Sequence, residues 1–142
     1  MAELKERIFA ELENIDQIMD ELKRNENLSD LSNLELAGIG TLIHNFYNGI
    51  ENIIKQIFIS EGKPVPSGTF WHKDLLESAC QHNFIDNTTK MGLGPLLAFR
   101  HFFVHGYSLN LRADLLLPLV HTLPDVYKQF TSDLRRNNFI LS

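Results

Sequence analysis

The residues best suited to chemistry lie between Arg100 and Tyr107, in a segment that reads Arg-His-Phe-Phe-Val-His-Gly-Tyr. At about 100° per residue of an α-helix, His101 and His105 share one stripe, and Arg100 and Tyr107 share the neighbouring stripe. An imidazole can accept or donate a proton near neutral pH, and a guanidinium can bind phosphate oxygens as negative charge builds on them. The segment therefore suits metal-independent cleavage of RNA in which the 2′-hydroxyl group of the RNA itself is the nucleophile.

Two other interpretations of these residues stay open. In the first, a helix carries a surface arginine and two partly buried histidines that hydrogen-bond to the backbone or to acids. In the second, His101 and His105 bind a metal ion at four-residue spacing. No third ligand stands out for a metal, since His44, His72 and His82 are candidates only because they are histidines. His72 is expected at the surface of a helix start.

Residues outside the segment are candidates for supporting roles. Tyr47 and Glu51 lie four residues apart on a predicted helix and share a face, from which they can orient the catalytic groups. The alternative is an exposed carboxylate beside a half-buried tyrosine. Lys90 and Arg112 flank the segment and are candidate contacts for an RNA backbone, although an ordinary solvated role fits them equally. Trp71 is expected in the core, with stacking on an RNA base as the alternative.

The charge distribution limits the kind of RNA binding that we expect. The net charge is −5, which at first argues against a nucleic-acid partner. The N-terminal segment 1–26 is rich in acids, whereas residues 87–113 hold Lys90, Arg100 and Arg112 and no acid. A small basic site can engage phosphate on such a chain, but the binding should be weak and sensitive to salt.

The expected compartment follows from three further observations. The chain has one cysteine, Cys80, which fits a reducing environment. Its acidic, amphipathic start does not resemble a signal peptide, and no apolar run is long enough to span a bilayer. We therefore expect a cytoplasmic protein without membrane association.

The elements that must position these residues are helices. Apolar residues recur every three or four positions in five stretches, which are about 3–24, 34–60, 70–82, 86–107 and 113–137. Ser32 or Asn33 is the expected cap of the second helix. Pro95 should bend the fourth helix or mark its regular start, and Pro118 and Pro124 should kink or split the fifth.

The predicted fold class is all-α, because no stretch alternates apolar and polar residues between hairpin turns. We expect residues 1–142 to form a single domain, an up-and-down bundle of four to five helices. Gly38, Gly40 and Gly49 indicate close contacts along the second helix. The apolar faces of the second and fourth helices are wider than a monomeric bundle needs, which favours a homodimer.

The pattern Arg100-x4-His105-x-Tyr107 resembles the RX4HXY motif of HepT-like ribonuclease toxins, in the HEPN superfamily (higher eukaryotes and prokaryotes nucleotide-binding). Residues 44–51 and 71–76 resemble the corresponding family segments, so that the resemblance covers about residues 34–110. It implies a HEPN-like bundle that dimerises, with the motifs of two protomers meeting in a cleft. It also implies an endoribonuclease without metal or cofactor that leaves 2′,3′-cyclic phosphate ends on tRNA or mRNA. Arg100 would stabilise the phosphorane, and His105 would act as general acid and base.

The same resemblance implies a partner. HepT-like toxins pair with MntA-type nucleotidyltransferase antitoxins in type II or type VII-like toxin–antitoxin systems, sometimes in larger hetero-oligomers. Transfer of AMP from ATP to Tyr107 would add a charged phosphate and a bulky base beside the catalytic pair. The alternative function is a non-catalytic HEPN module that binds or regulates a nucleotidyltransferase.

Overall fold

The computed structural model describes residues 2–25, 27–107 and 111–141, with the side chains of Ala2 and Tyr107 outside the description. Its α-helices are α1 (Ala2–Arg24), α2 (Asn33–Ser60), α3 (Trp71–Gln81), α4 (Asn87–Phe102) and α5 (Ala113–Arg136). These helices lie where the hydrophobic periodicity predicts them. No strand occurs among the described residues, so the all-α fold class is confirmed.

Helix α2 is the centre of the bundle and packs against all four other α-helices. Ile43, Phe46, Ile50 and Ile54 on this helix are fully buried. Each such side chain contributes roughly 1.5–3 kcal/mol on removal from water, so α2 is held by its neighbours on most sides. Among the described residues, no helix combines the length and the apolar character that crossing a membrane requires.

Two glycines of α2 allow close approach of neighbouring elements. A Cβ atom on Gly49 would lie 2.9 Å from Ile15 of α1, and one on Gly40 would lie 2.6 Å from Leu111. Both positions confirm the predicted close contacts. The prediction was wrong for Gly38, where a Cβ atom would meet nothing within 4 Å.

The start of α2 is a complete capping box. The hydroxyl of Ser32 accepts a hydrogen bond from the Glu35 backbone N–H at 3.1 Å, and the Glu35 carboxylate accepts one from the Ser32 N–H at 3.0 Å. Ser32 is therefore the cap, and Asn33 is the first helical residue. Hydrogen bonding of the Glu35 carboxylate to the Ser32 backbone N–H, and then to the Ser32 side chain, holds the pKa of Glu35 below its usual value.

The start of α4 is fixed to α5 by a buried carboxylate. Asp133 of α5 accepts hydrogen bonds from the Thr89 hydroxyl at 2.6 Å and from the Asp86 backbone N–H at 3.2 Å. Arg136 binds Asp133 at 3.0 Å and Asp86 at 2.8 Å. Because α4 carries the chemical motif, these contacts help to set the position of the motif.

The prolines do not divide the helices. Pro95 lies inside α4, and Pro118 and Pro124 lie inside α5, which is one helix from Ala113 to Arg136. A proline within a helix costs about 3 kcal/mol. The apolar face of α5 offsets this cost, since Leu116 and Phe130 are fully buried. Of the two outcomes predicted for the fifth helix, a kink or a split, the split does not occur.

The fourth helix ends earlier than predicted. After Phe102 the chain makes a π-helical turn, Phe103–Tyr107, in which His105 (φ −87°, ψ 17°) and Gly106 (φ 89°, ψ 14°) leave helical geometry. Glycine adopts such a positive φ without steric cost. The prediction that a regular helix continues to Tyr107 is wrong, but His101 and His105 still lie side by side as predicted, with ring centres 4.1 Å apart.

Candidate active site

A stripe of polar residues runs along one face of helix α2, next to residues of the apolar core. It consists of His44, Tyr47, Asn48, Glu51 and Lys55, whose spacing of three, four, seven and eleven residues places them on one helix face. Tyr47 is fully buried, and Glu51 is 3% exposed. A buried carboxylate is costly unless it is paired, so this α2 polar stripe needs partners from other helices.

The first partner is His72 of α3. Its Nδ1 atom lies 2.7 Å from Oε2 of Glu51, and the two side chains are 18% and 4% exposed. Because an ionised carboxylate only accepts hydrogen bonds, Nδ1 of His72 carries a proton in this pair. His72 is thus held between α2 and α3, and its expected role as a surface residue at the helix start is wrong.

Tyr47 lies next to the Glu51 carboxylate. Burial is the main cause that raises the pKa of the Tyr47 phenol, and the negative charge of Glu51 raises it further. In the described part of the chain, the buried hydroxyl has no hydrogen-bond partner of regular geometry. Tyr47 therefore stays protonated and presents an O–H donor inside the bundle.

Arg100 of α4 faces the same region. It is half-buried, its Nε atom is buried without a hydrogen-bond acceptor, and it makes no ion pair with any described residue. Its positive charge acts to lower the pKa values of His44 and Tyr47, whereas Glu51 acts to raise both. The structure therefore groups Tyr47 and Glu51 with the motif arginine, without a direct hydrogen bond to it.

His44 joins this cluster, although the sequence suggested it only as a weak metal ligand. The side-chain amide of Asn48 lies 3.0 Å from its Nε2 atom, which as the acceptor leaves the proton on Nδ1. That Nδ1 atom is buried and has no partner. Burial first, and then the charge of Arg100, lowers the pKa of His44, so the ring is neutral. The signal for His44 in the sequence was its position relative to other polar residues. Tyr47, Asn48 and Glu51 follow it by three, four and seven residues, which places all four on one helix face.

His105 lies on the exposed side of the motif. Its Nδ1 atom lies 2.7 Å from the carbonyl oxygen of His101, and the two rings are 4.1 Å apart at their centres. Because a carbonyl only accepts, Nδ1 carries the proton, and Nε2 is the atom that can exchange a proton with a ligand. His101 is exposed and supports the His105 ring through its backbone and its own ring.

The structure does not join Arg100 and His105 directly. Among the described residues, no hydrogen bond or ring contact links them; Arg100 turns partly inward towards α2, whereas His105 is exposed. The predicted modification site, the Tyr107 side chain, lies outside the described residues. The two candidate catalytic groups of one chain thus have different surroundings, since Arg100 is half-buried near α2 and His105 is exposed.

The two flanking cations are occupied within the chain. Lys90 binds Glu77 at 3.2 Å, and Arg112 binds Asp114 through two hydrogen bonds of 3.0 and 2.6 Å. Acids outside the segment 87–113 therefore neutralise two of its three cations. Arg100 is the remaining cation of that segment available to an anion.

Other features constrain the kind of site. Within the described part of the chain, no three His, Cys, Asp or Glu side chains converge as metal ligands. A groove of about 550 Å³ between α1 and α2 is lined by Asn14, Asn45 and Asn52 among others, and its lining includes none of residues 100–107. The motif therefore lies at the bundle surface and not in this groove.

The structure is an all-helical bundle with a buried polar cluster. A comparison with known protein families identifies the class to which it belongs. The profile of the family described as HepT-like protein matches residues 38–140, which is more than half of the chain and includes every site residue discussed above. The chain belongs to the HepT-like family. This membership places it among HEPN-type components of toxin–antitoxin systems. No curated protein and no solved structure matches the chain.

Proposed function

We propose that this protein is the toxin of a toxin–antitoxin pair and a metal-independent endoribonuclease. The observation that carries the proposal is the arrangement at the end of α4. Arg100 has no anionic partner among the described residues, and His105 exposes an imidazole whose Nδ1 proton is fixed by a backbone carbonyl. A cation without a counter-ion and an oriented imidazole are the groups that RNA transesterification requires.

In the proposed reaction, Nε2 of His105 takes the proton of the ribose 2′-hydroxyl. The 2′-oxygen then bonds to phosphorus, and the bond from phosphorus to the 5′-oxygen breaks. Arg100 stabilises the additional negative charge on the non-bridging oxygens. The 5′-oxygen leaves with a proton from an imidazolium, and the product end is a 2′,3′-cyclic phosphate.

A second copy of the chain supplies the second imidazole in this proposal. The attacking and leaving oxygens lie on opposite sides of phosphorus, so one ring cannot serve both at once. The exposed face of α4 supports a homodimer, because Met91 (68% exposed), Gly94, Pro95 and Ala98 form an uncharged stripe that leads to His105. Pairing of two such faces would bring the two motifs together.

The cleavage assay is carried out in excess EDTA with protein free of antitoxin. Wild-type protein should cleave RNA, and Arg100→Ala and His105→Ala should each lower the rate by about 10²–10⁴-fold while remaining folded. Arg24→Ala and His121→Ala are the matched controls, since both residues are exposed and lie on other helices. Cleavage that survives the Arg100 and His105 changes would refute the assignment. Cleavage that stops in EDTA and returns with a divalent ion would point to a metal site.

Tyr107 is the proposed acceptor of AMP from an MntA-type antitoxin. The other two tyrosines are poor acceptors, because Tyr47 is fully buried and the Tyr127 hydroxyl donates to Asp16 at 2.7 Å. In the transfer, the phenol oxygen bonds to the α-phosphorus of ATP, and pyrophosphate leaves.

We expect Tyr107→Phe to stay an active nuclease and to gain no adenylyl mass when the antitoxin and ATP are added. Tyr127→Phe, the control, should be modified like the wild-type protein. Intact-mass spectrometry distinguishes the two results. Adenylyl mass on the Tyr107→Phe protein would place the modification elsewhere.

The alternative function is a non-catalytic partner of a nucleotidyltransferase. The ion pairs of Lys90 and Arg112 favour it, because they leave few cations to bind RNA. This alternative predicts a stable complex with the enzyme and no RNA cleavage by wild-type protein in the same assay.

A further inference from the structure

We propose that the start of α3 is a nucleobase-binding subsite, in which Phe70 stacks on an unpaired base of the RNA substrate and Lys55 and Lys73 contact its phosphates. This inference rests on the proposed ribonuclease function and names a part of the substrate site outside the motif.

The ring of Phe70 is available for stacking. It is 71% exposed, and as the residue before α3 it makes no side-chain capping bond. Its neighbours Ser67, Gly68, Thr69 and Lys73 are also exposed. Phe70 is therefore an exposed aromatic ring that lies beside polar residues and a lysine, with the partly buried Trp71 next to it. This arrangement has the combination of ring and cation that single-stranded nucleic acids bind.

The two residues that follow Phe70 in the sequence, Trp71 and His72, are held in place by contacts with α2. The Trp71 ring lies 3.6 Å from the His72 ring at their centres, and Nζ of Lys55 lies 4.8 Å from the centre of the Trp71 ring. His72 is bound in turn to the buried Glu51 at 2.7 Å. The start of α3 is therefore fixed, so that a base stacking there would meet a preorganised surface.

The charges around the subsite differ from those around the motif. Lys55, Lys63 and Lys73 make no ion pair with any described residue, whereas Lys90 and Arg112 are both paired. Between residues 51 and 74 the three lysines face three acids, Glu51, Glu61 and Asp74. Glu51 is buried and bound to His72, so the side chains that are not buried carry one more positive than negative charge. A phosphate backbone would find accessible cations here.

The α2 polar stripe connects this subsite with the motif arginine. Tyr47, near Arg100, and Lys55, near Trp71, are eight residues apart on α2, which corresponds to about 12 Å along the helix. A few nucleotides of single-stranded RNA can span that distance. A strand cleaved at Arg100 can therefore place a neighbouring base on Phe70.

The test measures binding of a labelled 2′-O-methyl RNA, in which the attacking hydroxyl is blocked, by fluorescence anisotropy. Phe70→Ala should weaken binding about tenfold. Phe9→Ala is the matched control, because Phe9 is 62% exposed on the acidic helix α1, and it should bind like wild type. An oligomer of abasic sugar-phosphate should bind equally to the wild-type and Phe70→Ala proteins, since it has no base to stack. Trp71 is the only tryptophan, and its emission should change on binding of the base-containing RNA.

Three results would overturn the inference. Equal binding by Phe70→Ala and wild type, with unchanged KM in cleavage, removes the subsite and leaves the nuclease proposal intact. Loss of a protein complex in Phe70→Ala without any change in RNA binding assigns the ring to a protein partner. Wild-type protein that neither cleaves nor binds RNA contradicts both proposals.

Discussion

Glu51 is the residue on which the polar cluster depends. Its buried carboxylate accepts a hydrogen bond from His72 and lies next to Tyr47, and its charge opposes that of Arg100 at His44. A buried charge that loses its partner is strongly destabilising. Glu51 therefore has a positioning role for α3 and for the surroundings of the motif arginine, and contact with substrate is not required of it.

Replacing Glu51 by Gln keeps the shape and removes the charge. We expect Glu51→Gln to lower the free energy of unfolding by about 1–3 kcal/mol, because the charge-assisted hydrogen bond to His72 is lost inside the protein. Glu77→Gln is the control, since the Glu77–Lys90 pair is 47% and 26% exposed and should contribute less than about 1 kcal/mol. Urea unfolding measures both changes. An equally small effect of the two substitutions would contradict the role given to Glu51.

Among the secondary-structure elements, the feature that most affects the site is the end of the regular helix α4 at Phe102 and the π-helical turn that follows. A helix that continued regularly would place His105 and Tyr107 by rotation alone, but the π-helical turn and the positive φ of Gly106 redirect the chain between them. The turn exposes His105 while the buried Phe99 keeps the preceding helix in the core. We therefore expect the position of His105, the imidazole of the proposed mechanism, to depend on glycine at residue 106.

Two glycine substitutions separate this backbone effect from side-chain packing. Among the residues that the structure describes, a Cβ atom at either Gly106 or Gly38 would meet nothing within 4 Å. Gly106→Ala should destabilise by about 1 kcal/mol, because an L-residue is strained at φ 89°. Gly38→Ala, within α2, should stabilise by about 0.5–1 kcal/mol through a lower unfolded-state entropy. Thermal unfolding measures the change in stability of each variant. A change in the same direction for both variants would contradict the role given to the turn.

At the scale of the whole molecule, one chain contains only half of the proposed site. Arg100 turns inward and His105 lies on the outer surface, next to the uncharged exposed stripe of α4. An isologous pairing of two α4 faces would place two such halves opposite each other. The homodimer stays a prediction, and it is one that kinetics can test.

Mixing wild-type protein with excess His105→Ala protein, followed by subunit exchange, tests the shared site. If each cleavage uses one imidazole from each protomer, activity should fall with the square of the wild-type fraction. Mixing with His121→Ala, an exposed histidine on α5, should leave activity unchanged. Light scattering establishes the dimer first. A linear fall, or a monomer that is active, would show that each chain works alone.

Much of the architecture follows from local sequence patterns. The five helices and the capping box at Ser32 depend on residues within a few positions of each other or on the face that they share. The resemblance of the Arg100–Tyr107 segment to its family likewise needs only the order of residues. Such features were predictable because helical periodicity and capping are short-range effects.

Which polar side chains pair with each other depends on the tertiary structure. The Glu51–His72 bond joins residues 21 positions apart, and Lys90 finds Glu77 across 13 positions, so neither pair is visible in helical spacing. Among the described residues, the same packing leaves the buried Nε atom of Arg100 without an acceptor. Burial and the mutual charges of residues brought from different helices set these features, and a linear sequence does not contain the distances on which they depend.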